Sequence, residues 1–177
     1  MSRDLCIYLE FLTEAHKAQI RQTAEEAGFV PHFFDLDQFE EAKACVQHCE
    51  VLYAHSPELL RTAPASLKWY CCSFAGIDPY CKDPTLFANP DCLMTNSNVY
   101  GVTIAEHVVM VTLMLLRRMP EYEAVVRGHG WSNQLAVQSI RDNTFTILGT
   151  GDIGVNTAER LRGMGAAHIL GLSRSGR

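Results

Sequence analysis

The sequence lacks a long hydrophobic run. Its longest uncharged apolar stretch, Val108 to Leu116, is about half of what a bilayer span needs, so no membrane partner is expected. An excess of positive charge is missing too: 15 Lys and Arg stand against 20 Asp and Glu, for a net charge of −5. Without a broad positive field the chain has little with which to gather phosphate backbones, which argues against nucleic acid as a partner. No charged, apolar and small leader pattern opens the sequence, and its seven cysteines (Cys6, Cys45, Cys49, Cys71, Cys72, Cys81 and Cys92) are an odd set that cannot all pair internally. Reduced thiols in a cytoplasmic protein are expected. Internal repeats and low-complexity segments are also absent. With 47% hydrophobic and 20% charged residues the chain is too apolar for disorder. At 177 residues it holds one full domain or one plus part of another, taking about 150 residues per domain.

Strands and helices alternate along it. Leu5 to Leu9 is a short apolar run, and Ile20, Ala24 and Ala27 recur at helical spacing until Gly28. Phe29 to Phe34 predicts a second strand. Asp37 with Glu40 reads as a capping box before the apolar stripe Phe39, Ala42, Val46 and Cys49. Val51 to Ala54 predicts a third strand, Ser56 and Pro57 a helix cap and first position, and Leu67 to Cys72 a fourth strand. Such alternation implies parallel pairing under right-handed crossovers, an α/β fold.

After Pro90 the pattern changes. Leu93 to Thr95 is a brief strand, and Thr103 to Arg118 predicts a long helix, apolar nearly all round, which must be buried or docked. Thr103 and Glu106 read as a second capping box, with Arg117, Arg118 and Pro120 marking the end. A domain boundary is placed near Tyr100 and Gly101, giving domains of residues 1–100 and 101–177. Glu121 to Trp131 predicts a further helix and arm, in which Trp131 packs across a dimer arm or covers a core edge. Ser132 to Asn143 is a polar connection.

Residues 144–177 predict strand, glycine turn, helix and strand, one complete βαβ unit. Gly149, Gly151 and Gly154 come after the apolar strand TFTIL and open the helix, the context a dinucleotide fingerprint requires. The first glycine permits the tight turn, the second lets backbone approach a pyrophosphate and the third lets helix and strand pack, while the helix N-terminus supplies amide donors. At the end of the second strand, where an acid would bind the ribose 2′-hydroxyl, stands Ser173, followed by Arg174 and Arg177. A hydroxyl and positive charge there favour NADP, with NAD as the second possibility. The segment after Gly154 is too short for a full doubly wound domain, so this domain is expected to be incomplete.

The stretch NSNVYGVTIAEHVVMVTLMLLRRMPEYEAVVRGHGWS, with GTGDIG and SRSGR after it, resembles the D-isomer-specific 2-hydroxyacid dehydrogenases. That resemblance implies a flavodoxin-like substrate domain followed by a Rossmann dinucleotide-binding domain. SFAGIDPY, Ser73 to Tyr80, is similar to the family's substrate loop, which implies that the amides of Ala75 and Gly76 hold a substrate carboxylate. Thr103 would lie near the nicotinamide, and Asp152 and Ile153 would join the three glycines in holding the cofactor. SRSGR looks like the NADP-using glyoxylate and hydroxypyruvate reductases, so a small 2-keto acid is the implied substrate. The helix 103–118 would form a homodimer interface. The family's catalytic arginine, glutamate and histidine come after the fingerprint, which implies that they lie beyond Arg177. No catalytic residue is therefore expected in this chain, and the 177 residues alone are expected to be inactive. The competing possibility is a truncated, non-catalytic paralogue acting as a nucleotide-binding or dimerising module.

Reduction of a 2-keto acid needs a cation for the carboxylate and a near-neutral acid for the carbonyl oxygen. None of His16, His32, His48, His55, His107, His129 and His168 lies in a recognisable acid and carboxylate pairing, and each reads as a surface or core residue. Glu106 and His107 point to different faces of a helix. Cys45, His48 and Cys49 have helical spacing but lack a fourth ligand, so core cysteines are preferred to a metal site. Cys71 and Cys72 fall on opposite faces of a strand. A phospho-receiver reading fails because VLYAH carries no aspartate.

Overall fold

The computed structural model describes residues 3–174 and 176. The chain forms two compact units, residues 1–97 and 98–177. The first unit runs β1 (Arg3–Tyr8), α1 (Glu14–Glu26), β2 (Phe29–Phe34), α2 (Phe39–Val46), β3 (Cys49–Ala54), α3 (Pro57–Thr62), β4 (Trp69–Cys72), α4 (Asp78–Lys82), a 3-10 turn over Pro84–Leu86 and β5 (Leu93–Thr95). Its sheet is five-stranded in the order β2-β1-β3-β4-β5, with every pair parallel. This is the 2-1-3-4-5 order of flavodoxin-like folds, in which ligands bind outside the carboxyl ends of the strands.

Strand periodicity sorts the side chains. Cys6, Tyr8, Leu52, Ala54, Tyr70 and Cys72 face α2 and α3 and form the main core with Ala42, Val46, Leu59 and Leu60. Leu5, Val51, Tyr53, Trp69 and Cys71 face the α1 side, around an apolar cavity of about 340 Å³. Cys71 and Cys72 thus occupy opposite faces, as period two demands. Leu52, Leu59 and Leu60 are fully buried, and each such leucine contributes about 1.5–3 kcal/mol by leaving water.

Helix starts follow local hydrogen bonding. Ser56 accepts from the Leu59 amide at 3.0 Å with Pro57 in the first turn. The Asp37 and Glu40 box does not form: α2 has Gln38 at its N-cap with no side-chain cap, and Gln38 Oε1 accepts from the Asp35 amide at 3.0 Å. Asp37 stands inside the turn whose Gln38 amide donates to the Asp35 carbonyl, one residue ahead of the N-cap. A box forms instead at Thr13, which accepts from the His16 amide while His16 Nδ1 accepts from the Thr13 amide. β1 ends at Tyr8, with Leu9 beyond it donating to the Phe34 carbonyl. β4 begins at Trp69, two residues after the expected Leu67.

The second unit holds α5 (Gly101–Leu116), α6 (Met119–Arg127), β6 (Thr144–Leu148), α7 (Asp152–Gly163) and β7 (His168–Leu172). β6 and β7 pair in parallel across α7, from Thr144 with His168 to Leu148 with Leu172. The predicted βαβ unit is present. The Thr103 and Glu106 box is not: α5 starts two residues earlier, Tyr100 is its N-cap without a side-chain capping bond, and Thr103 Oγ1 donates to the Tyr100 carbonyl at 3.2 Å. Glu106 pairs with Arg160 of α7 at 3.3 Å. The earlier start has a packing cause, because Gly101 is buried against Asp152 and a β-carbon there would strike its carboxylate.

Arg117 caps α5, Arg118 turns at φ 56, and Pro120 sits in the first turn of α6. The proline therefore starts a helix as well as ending one. Trp131 is 90% exposed, so it covers no core edge of its unit. On α5 only Gly101 and Ala105 are buried; Val102, Ile104, Val108, Met110, Met114 and Leu115 are exposed. Leu148, Leu170 and Leu172 of the two-stranded sheet are exposed too.

Candidate functional site

The glycine turn is built by three different constraints. Gly149 leaves β6 at φ +103, a conformation that L side chains rarely adopt, and its amide donates to the Leu172 carbonyl of β7 at 2.8 Å. Gly151 is the extended N-cap of α7 and has no side-chain cap. Gly154 sits so close beneath the turn that a β-carbon would collide with the Gly149 carbonyl oxygen, and it would also touch Ile147 Cγ2 at 3.4 Å. Gly149, Thr150, Gly151, Asp152 and Ile153 are exposed. The first intrahelical bond of α7 runs from the Val155 amide to the Gly151 carbonyl at 2.9 Å, so the amides ahead of it are open at the positive end of the helix dipole. Open backbone amides at a helix N-terminus are the groups that can hold an anion.

Asp152 does not oppose that role. Its carboxylate packs against Gly101 and accepts from Asn156 Nδ2 at 3.0 Å. Two glycines of the site escaped the sequence reading. Besides Gly101, Gly171 on β7 leaves room for Thr150, whose Cγ2 would lie 2.7 Å from a β-carbon there. The signal available was a glycine inside a strand, which marks close approach of another backbone.

Thr103 is exposed on the first turn of α5, two residues after the Gly101 contact with Asp152. Ser173 and Arg174 follow directly from Leu172, whose carbonyl holds Gly149, so the structure brings them beside the turn. Arg174 is exposed and makes no salt bridge among the described residues. Arg177 lies outside the described residues.

In the first unit, Ala75 and Gly76 belong to the loop that leaves the carboxyl end of β4. The Phe74 carbonyl accepts from the Ser97 amide at 3.2 Å and the Ala75 carbonyl from Asn96 Nδ2 at 2.9 Å. With their carbonyl side fixed in this way, the amides of Ala75 and Gly76 find no acceptor among the described residues, and both residues are exposed. A polar chain that sequence reasoning missed runs beneath the loop. His55 stacks on Phe74 with centroids 4.1 Å apart, its Nδ1 lies 3.3 Å from Tyr80 Oη, and Tyr70 donates to Tyr80 Oη at 2.8 Å. Burial pushes Tyr80 up to about 12 and Tyr70 higher still, so both phenols stay protonated near neutral pH.

One histidine does meet a carboxylate, contrary to expectation: His32 Nε2 lies 2.9 Å from Asp4 Oδ1. The two stand on neighbouring strands, a pairing that only the β1 and β2 register reveals. Both are partly exposed, His32 on the edge strand β2 and Asp4 on its neighbour β1, and neither belongs to the carboxyl-end loops. The α1-side cavity is lined by no charged residue. Among the described residues no group of three His, Cys, Asp or Glu side chains is placed to hold a metal.

Residues 109–177 match the family model described as D-isomer specific 2-hydroxyacid dehydrogenase, NAD binding domain. A D-lactate dehydrogenase of Staphylococcus aureus is 36% identical over 95 residues, which are 52% of this chain and 28% of that protein. A crystal structure of a D-isomer specific 2-hydroxyacid dehydrogenase family protein from Aeromonas salmonicida superposes with a TM-score of 0.73 at 26% identity, covering 100% of this chain and 55% of that one. The NADPH-dependent glyoxylate/hydroxypyruvate reductase from Sinorhizobium meliloti, solved with NADP and sulfate, gives 0.71 at 22% identity, with 99% and 58% covered. The chain thus spans little more than half the length of the solved structures it matches. The parallel α/β architecture and the glycine turn opening α7 agree with that match, which with these relatives supports the D-isomer specific 2-hydroxyacid dehydrogenase family over residues 109–177.

Proposed function

We propose that the chain is the substrate-loop and dinucleotide-turn portion of an NADP-preferring oxidoreductase that reduces a small 2-keto acid, glyoxylate or hydroxypyruvate, to the 2-hydroxy acid. The single observation that carries it is the uncapped, exposed glycine turn of residues 149–154 opening α7. The residues present fit a dinucleotide: open amides face outward, and added β-carbons would fill or distort the cradle. When bound, the dinucleotide supplies the hydride. Gly151, Asp152, Ile153 and Gly154 would hold its pyrophosphate through backbone, Gly149 would shape the turn with its own amide on the Leu172 carbonyl, and Thr103 would stand near the nicotinamide. Ser173 and Arg174, with Arg177, would take the 2′-phosphate, and the absence of an acid at Ser173 supports NADP over NAD.

The Ala75 and Gly76 amides would hold the substrate carboxylate, a role supported by the fixed carbonyl side of their loop. The proton and the cation of the reaction call for an acid and an arginine that the carboxyl-end loops of the described residues do not bring together. The 177-residue chain is therefore predicted to bind NADPH without oxidising it. Dimerisation through helix 103–118 is supported by the exposed apolar face of α5. Cytoplasmic placement is supported by seven cysteines that are all free.

The experiment is a fluorescence titration of the 177-residue chain with NADPH, beside a Gly151→Val variant. Saturable binding that the variant loses supports the function. No saturable binding by the parent chain contradicts it.

A further inference from the structure

Three thiols meet where α2 runs into β3. Cys45 lies in the last turn of α2 and Cys49 opens β3, and the short connection brings their sulfurs to 3.6 Å. Cys49 also donates its S–H to the Cys45 carbonyl oxygen at 3.2 Å. Cys6, on the adjacent strand β1, completes the group and lies 3.8 Å from the Ala42 carbonyl oxygen. Access differs sharply: Cys6 and Cys49 are buried at 0% and 1% exposure, whereas Cys45 is only partly buried.

The same contacts separate the thiols chemically. Its sulfur contacts with Cys49 and then Cys6 lower the Cys45 thiol from its ordinary range. Cys6 and Cys49 are pushed up, chiefly through the bonds they make to Cys45, and by burial. The partly exposed sulfur is therefore the one a peroxide can reach, and the buried one 3.6 Å away is placed to resolve it, the arrangement of a reactive cysteine with a resolving partner.

We propose that Cys45 and Cys49 form an oxidation site for hydroperoxides, with Cys45 as the attacking sulfur and Cys49 as the resolving one. The Cys45 thiolate attacks the terminal peroxide oxygen and the O–O bond breaks. The leaving alkoxide or hydroxide takes up a proton, and Cys45, oxidised by two electrons, becomes the sulfenic acid. Cys49 then gives up its thiol proton and its sulfur attacks Cys45 Sγ; the S–O bond breaks, and hydroxide leaves as water with that proton. In balance, two thiols and one hydroperoxide give one disulfide, one water and one alcohol, or a second water when the peroxide is hydrogen peroxide. The sulfurs must close from 3.6 Å to about 2.05 Å, a movement that falls on the exposed turn Gln47 and His48. The site lies wholly in the first unit and is independent of dinucleotide binding.

Trypsin makes the test direct. Cleavage after Lys43 and Arg61 puts Cys45 and Cys49 in one peptide, residues 44–61, that holds no other cysteine, while Cys6 falls in residues 4–17. The folded 177-residue chain is treated with one equivalent of hydrogen peroxide, alkylated without reductant, digested and weighed. Peptide 44–61 is expected to escape alkylation and to weigh two hydrogens less, at a rate roughly tenfold above thiol loss at the exposed Cys81. A Cys49→Ser variant, confirmed as folded by circular dichroism, should accumulate a sulfenic acid on Cys45 that dimedone traps. The proposal is overturned if peptide 44–61 stays doubly alkylated while Cys81 oxidises, if the bridge joins residues 4–17 to 44–61, or if the folded variant yields no dimedone adduct.

Discussion

Gly154 has no room for a side chain, because a β-carbon there would run into the backbone oxygen of Gly149. Backbone cannot yield as a flexible side chain can, so Gly154→Ala should destabilise the chain by about 1–3 kcal/mol, the usual cost of overpacking. Thermal melts of parent and variant check this, and an unchanged melting temperature would refute the packing. Arg174 argues the opposite case, for it is exposed and makes no salt bridge among the described residues. Its replacement should leave stability alone while weakening NADPH more than NADH. Loss of one charge-assisted bond, about 1.5–3 kcal/mol, corresponds to tenfold or more in the NADPH dissociation constant. Equal weakening of the two cofactors in Arg174→Gln would remove the 2′-phosphate from its role. The three turn glycines were legible because they stand after an apolar strand at fixed spacing. Gly101 and Gly171 were not, since each is small for the sake of a residue distant in sequence, Asp152 and Thr150.

Among the elements, strands declared themselves better than helix starts. β2 and β3 carry short apolar runs that stand out in the sequence, and the Ser56 and Pro57 start of α3 uses local chemistry. The starts of α2 and α5 depart from the capping-box pattern for different reasons: a local turn between Asp35 and Gln38 precedes α2, whereas α5 begins where Gly101 packs against Asp152. α1 is capped by His16 in the place where glutamate or glutamine is usual, which hides the motif. Thr13→Ala should cost about 1 kcal/mol of stability, read by urea unfolding of the first unit's signal. Tyr80 adds a pH dependence to that unit. Burial raises its phenol from 10.0 to about 12, so the folded state keeps a proton that the unfolded state releases. Its stabilising contribution is whole below pH 10 and is lost as pH rises toward 12. Urea midpoints across that interval should fall in the parent and fall less in Tyr80→Phe; parallel slopes would contradict the assignment.

Taken whole, the molecule presents two compact units with different chemistry at their exposed turns. The first offers the Ala75 and Gly76 amides above a buried phenol pair, and the second offers a glycine cradle flanked by Ser173 and Arg174. The alternation of strands and helices made the parallel architecture readable, because only crossovers can join parallel strands. The His32 and Asp4 pair and the His55 chain stayed hidden, because strand register and loop return bring those residues together rather than spacing. The apolar face of α5 carries a prediction at this scale: Met114→Glu should shift a dimeric population toward monomer in sedimentation, and an unchanged profile would place any interface elsewhere.

The central claim is that the turn of residues 149–154 is a dinucleotide site, and amide chemical shifts test it most directly. On adding NADPH to the nitrogen-15-labelled chain, the largest perturbations should fall on Gly149, Gly151, Ile153 and Gly154, with smaller ones on Ser173 and Arg174. Perturbations confined to other segments, or none at saturating NADPH, would contradict it.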